Sequence, residues 1–157
     1  MSTAAEPAAA AGPTAESPGP PAGHRTRPIG WVLRAVTSAH LVALAGQPVF
    51  AGVYLSGDYD ALRWHATGAD LVTSLGYVQL VVAVVAWLRM RRIWPFEATL
   101  ALVVAETVQY FAGTAGALWL HLPLGVATVA GLVLLFVAVW RRPLDRRPGV
   151  RGEVGDA

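Results

Sequence analysis

His65 and His121 are the residues of this chain best suited by type and position to hold a metal centre. Each stands at the start of a long apolar run, and each offers a neutral ring nitrogen. On facing helices at one depth, the two can ligate the iron of a haem b from both sides. Counting back from the arginines that close each run, Leu88 is 23 residues from His65 and Trp140 is 19 from His121. The difference is about 6 Å of helix, which tilt can absorb. Gly68 and Ala69 lie one turn inward of His65, and Gly125 one turn inward of His121. These small residues would leave room for a flat macrocycle. The plainer alternative is two wet interfacial histidines, with the small residues serving helix packing. The Cys-x-x-Cys-His attachment motif is absent, and no metal beyond haem iron is indicated.

His40 and Glu106 form a second pair. His40 lies about eleven residues into the first apolar run and Glu106 about ten into the third. At 1.5 Å per residue both sit roughly 15 Å deep if those runs are membrane spans. They can then meet in the centre of a bundle, either as a site for a proton, cation or polar ligand, or as an interhelical hydrogen bond with Glu106 neutral. Gln47, Gln79, Gln109 and Tyr110 can extend that polar core. Asp70 falls nearer the surface and can simply be solvated.

Four apolar runs must position these groups. The most apolar, residues 119–140, reads from Trp119 to Trp140 with no fixed charge and is followed by Arg141-Arg142. As a helix it is roughly 32 Å long, enough to cross a hydrocarbon core of about 30 Å. The other spans are expected at about 29–55, 64–88 and 96–113. Pro48 removes a backbone donor inside the first, so a kink is expected there. Asp58 or Asp60 is placed to cap the second, and Pro95 suits the start of the third. Arg34 is expected to snorkel to the interface. Residues 1–28 and 142–157 read as disordered tails rich in Ala, Pro, Gly and Arg. The N-terminal stretch has no apolar segment of the kind a secretory signal requires.

The arginines set an expected orientation. All 12 basic residues are arginine, and only Arg63 falls among the loops on the side of residues 56–63 and 114–118. The positive-inside rule then puts both termini in the cytoplasm. Short connections favour an all-α, up-down-up-down bundle of four transmembrane helices forming one domain. A hydrophobic content of 55% with only 14% charged residues argues against an ordinary soluble domain, and the net charge of +2 gives no footprint for nucleic acid. With no cysteine there is neither disulfide nor thiolate chemistry. No Gly-x-Ser-x-Gly elbow, phosphate-cradling glycine loop or helical metal motif appears, so no catalytic residue is assigned.

Several segments carry a resemblance: Gln47-Pro48-Val49-Phe50-Ala51-Gly52, Trp64-His65 with Gly68, Gln109, and His121-Leu122-Pro123-Leu124-Gly125. Across about residues 30–141 the chain resembles a group of small four-span integral membrane proteins of bacteria, of the actinobacterial kind. In architecture it is similar to the four-helix halves of haem A synthase and of b-type cytochromes. The resemblance implies four helices in a bacterial plasma membrane and names no reaction. Three readings follow. The first is a non-enzymatic accessory or binding protein whose partners are the bilayer and another membrane protein or a second copy. The second is a haem-binding electron carrier or haem-handling protein using His65 and His121. The third is a small proton-coupled transporter using Glu106, a class whose dual-topology members need weaker charge bias than this chain has.

Overall fold

A computed structural model describes residues 28–144. Four helices follow in order, α1 (Pro28–Leu55), α2 (Ala61–Met90), α3 (Trp94–Thr114) and α4 (Leu118–Arg141), with no strand among the described residues. The tail residues 1–27 and 145–157, expected to be disordered, lie outside the described residues. The tail boundaries themselves move: Pro28 already opens α1, and Leu144, beyond α4, is fully buried.

Local chemistry sets the helix ends. α2 begins a turn earlier than expected and has Asp60 at its N-cap position. The expected side-chain cap does not form there, because Asp60 is itself in helical conformation. Its N–H is instead taken by Asp58 Oδ1 at 3.1 Å. α2 stops where Arg91 turns left-handed (φ 57°), with its N–H bonded to the Trp87 carbonyl at 2.8 Å. Pro95 lies in the first turn of α3, where its missing N–H costs no hydrogen bond. Gly116, at φ 70°, makes the turn into α4. α1 continues as helix through Pro48.

The helices form a ring in which α1 packs on α2, α2 on α3, α3 on α4 and α4 on α1, with no close approach across either diagonal. Consecutive helices run antiparallel. Trp87 near the end of α2 stacks on Phe96 at the start of α3, and Trp31 at the start of α1 meets Trp140 at the end of α4, with centroids 5.1 and 5.8 Å apart.

The outer face is more apolar than that of a soluble bundle, and several polar residues are buried inside. Thr37, His40, Gln79, Thr99, Glu106 and Thr128 are buried, while Val42, Val126 and Leu134 are more than 70% exposed. A bundle apolar on its outer face matches a lipid environment. α1, α2 and α4 are long and apolar enough to cross a membrane. α3, the shortest at 21 residues, is not among them, and it carries Glu97, Thr99, Glu106, Thr107, Gln109 and Tyr110.

The interior is graded along its length. An apolar core of Leu33, Ala86, Met90, Leu132, Val139 and Leu144 fills the end where the arginines cluster. Buried polar groups occupy the middle, and the two histidines stand at the far end. Arg34 sits at the apolar end and is only 8% exposed. It does not snorkel outward. Its Nε donates to the Val139 carbonyl at 2.9 Å, and its guanidinium lies over the rings of Trp31 and Trp140. Two aromatic faces and a carbonyl replace the water it would otherwise seek.

Candidate functional site

His65, on the first turns of α2, and His121, on the first turn of α4, meet across the ring with centroids 6.1 Å apart and planes at 82°. Both rings are half-buried. His65 Nδ1 lies 3.2 Å from the Gln47 carbonyl, and His121 Nδ1 lies 2.9 Å from the Gln109 carbonyl. A carbonyl only accepts, so each Nδ1 carries the ring hydrogen and each neutral ring keeps its Nε2 lone pair. This is the tautomer-fixing arrangement found behind metal-ligating histidines. A metal held by two imidazole nitrogens at about 2 Å each puts the ring centroids roughly 6 Å apart.

The glycines one turn inward do leave space, but side chains of this protein fill it. A Cβ added at Gly68 would overlap the Gln47 amide nitrogen, and one at Gly125 would come within 2.9 Å of the Gln109 amide nitrogen. Between the histidines and Glu106 there remains a cavity of about 40 Å³, lined also by Leu44, Val72 and Tyr110. That volume admits water but not a macrocycle. A porphyrin would need the two amides to swing out of their glycine notches and the helices to part around it. Both are far ends of flexible side chains, and Gln47 Oε1 has no hydrogen-bond partner where it lies.

The second pair lies deeper. His40 Nε2 is 3.2 Å from Glu106 Oε1, and both residues are buried. The approach is too oblique for a well-formed hydrogen bond. On its other side His40 Nδ1 is 3.0 Å from Gln79 Oε1, and the Gln79 amide donates to Thr99 Oγ1 at 3.4 Å. Gly76 makes space for the carboxyl, since a Cβ there would stand 2.7 Å from Glu106 Oε2.

The four polar residues expected to extend this core divide between the two sites. Gln79 joins His40. Gln47 and Gln109 serve the histidine pair, and Thr128 Oγ1 donates to Gln109 Oε1 at 3.0 Å. Tyr110 also lines the cavity, and its hydroxyl donates to Asp70 Oδ1 at 2.9 Å, which gives the exposed Asp70 a partner as well as solvent. Thr99 and Thr128 escaped sequence reasoning. A repeat in the sequence would have pointed to Thr99, whose counterpart is Thr37, but not to Thr128, whose counterpart is Val72. Thr37 and Gln47 are ten residues apart, as are Thr99 and Gln109, and Ala61-Leu62 precedes His65 as Ala117-Leu118 precedes His121. The buried positions 72, 76, 79 and 83 of α2 also recur at 128, 132, 135 and 139 of α4. Hairpin α3–α4 is thus the counterpart of hairpin α1–α2, and the histidine pair occupies equivalent positions of the two. The pattern breaks at His40, Gln79 and Glu106, whose counterparts are Leu102, Leu135 and Leu44. Among the described residues no three His, Cys, Asp or Glu side chains gather closely enough to hold a bare metal ion. No known protein family, no curated protein and no solved structure matches this chain, so the chemistry of the site rests on its own geometry.

Proposed function

We propose that this is a four-span protein of a bacterial plasma membrane, with both termini cytoplasmic, that binds a b-type haem through His65 and His121 and serves in electron transfer or haem handling. The observation that carries the reading is the pairing of the two rings at 6.1 Å with each Nδ1 tied to a backbone carbonyl. The donor set favours haem over a bare cation. A structural or catalytic ion asks the protein for three or four ligands, whereas haem brings four nitrogens and needs only two axial ones. Bound haem would supply one-electron exchange. The chain's part is to present two Nε2 lone pairs, to hold both ring tautomers through the carbonyls of Gln47 and Gln109, and to exclude bulk water with the apolar bundle. Non-enzymatic binding is thus joined to a cofactor, and His40–Glu106 stays below it as a separate buried pair.

The visible spectrum of the detergent-purified protein, expressed with ample haem, tests this. A sharp Soret band and a reduced α-band are expected, and His65→Ala or His121→Ala should each abolish or shift both. A colourless protein under those conditions overturns the proposal. So does a spectrum unchanged by either substitution.

A further inference from the structure

An open groove of about 690 Å³ runs between α3 and α4 on the outside of the bundle. Ala98 and Ala101 keep it deep, Leu102 packs against Gly131 at its floor, and Leu134 forms part of its wall. Its lining is apolar except at one end, where Arg141, Arg142 and Trp94 stand at the mouth. Gly131 is ten residues before Arg141, so the groove reaches about 15 Å from the arginines, half of a hydrocarbon core of about 30 Å. That is the depth of one leaflet. Arg142 lies with its guanidinium over the Trp94 ring at 5.2 Å. Such a contact uses the face of the cation, while the N–H donors lie in its plane.

We propose that this groove is a binding site for an anionic phospholipid of the leaflet bordering the arginines, with one acyl chain along the groove and the phosphate at Arg141 and Arg142. This rests on α4 crossing a bilayer and not on the role of the histidines. Charge selects the occupant. A second copy of the chain packed symmetrically on this groove would bring its own Arg141 and Arg142 against these two, like charge on like charge. An anionic headgroup neutralises them instead, and a zwitterionic one does so less completely.

The test uses the full chain in detergent, mixed with equal amounts of phosphatidylglycerol and phosphatidylcholine carrying the same acyl chains. Native mass spectrometry then counts the lipids retained. Two arginines near a headgroup predict a preference for phosphatidylglycerol of roughly tenfold or more. The preference should fall to near parity in Arg141→Gln/Arg142→Gln. Ala101→Phe keeps both arginines and fills the groove, and it should lower phosphatidylglycerol retention several-fold. All three positions are exposed, so the variants should fold, and the helical circular dichroism of each confirms it. Equal retention of the two lipids by the unsubstituted protein overturns the site. So does a preference that survives the double substitution, or a dimer, broken by Ala101→Phe, that retains no lipid.

Discussion

His40 is held by Gln79 on one side and faces the Glu106 carboxyl on the other. The Gln79 amide donates to Thr99, which turns its oxygen toward His40 Nδ1 and makes that nitrogen the donor. Nε2 then faces Glu106 Oε1 obliquely at 3.2 Å, with both residues buried. His40→Leu with Glu106 intact leaves the carboxyl and the Gln79 oxygen unmatched, so it should destabilise the protein by about 1–3 kcal/mol. Glu106→Leu should be tolerated better. Thermal unfolding of the two single variants and the double variant measures the coupling, and a coupling of zero would mean the two side chains do not interact. Gly76→Val drives a methyl group against Glu106 Oε2 and should cost a comparable amount, about 1–3 kcal/mol. Gly52→Ala, where an added Cβ meets nothing within 4 Å, is the matched control and should leave the melting temperature nearly unchanged.

At the scale of elements, α3 is the helix that depends on its neighbours. Its buried face carries Thr99 and Glu106, and Gln109 lies half-buried beside them, so it offers lipid a poorer surface than α1, α2 or α4. In a membrane-insertion assay on single segments, α1, α2 and α4 should insert on their own and α3 only weakly. Glu106→Leu should raise α3 insertion markedly, because a carboxyl at mid-helix costs about 2.5–3.5 kcal/mol on insertion scales. Strong insertion of the unsubstituted α3 would contradict this. The helices themselves were legible in the sequence to within about a turn, since tryptophans, prolines and arginine runs mark their ends. That His65 would meet His121, and His40 would meet Glu106, was legible as well, because equal depth can be counted along a helix. Partner choice by the glutamines was not. Depth says that Gln47 and Gln109 lie inside, but not that each folds into a glycine notch beside a histidine. Arg34 looked like an interfacial residue because nothing in its own helix shows that Trp140 and the Val139 carbonyl stand opposite. The buried threonines pair across helices, and a reading of one helix at a time does not see them.

For the whole molecule, charge and burial run along the same axis. Arg34, Arg89, Arg141 and Arg142 belong to the end that holds the apolar core, and the histidine cavity belongs to the other end, beside Arg63. If the arginine-rich end faces the cytoplasm, reporter fusions after residues 60 and 116 should read as external, and fusions after Arg92 and Arg147 as cytoplasmic. A cytoplasmic signal at residue 60 would reverse the orientation and put the histidines inside the cell.

The matching of hairpin α1–α2 with hairpin α3–α4 also bears on how such a site comes into being. Each hairpin contributes one histidine together with the glutamine carbonyl that orients it, so neither holds a complete site, and both are needed before the rings can face one another. A half-length chain paired with a copy of itself would own the whole symmetric part of the site, both histidines and both glutamines. It would lack the His40–Gln79–Glu106 cluster, whose members come unequally from the two halves. Fusion of two such halves into one gene would free the copies to diverge, and the buried His40–Glu106 pair is where the two hairpins differ. If the intact protein takes up haem, residues 1–92 and 93–157 made as separate chains in one cell should find each other and restore its visible spectrum.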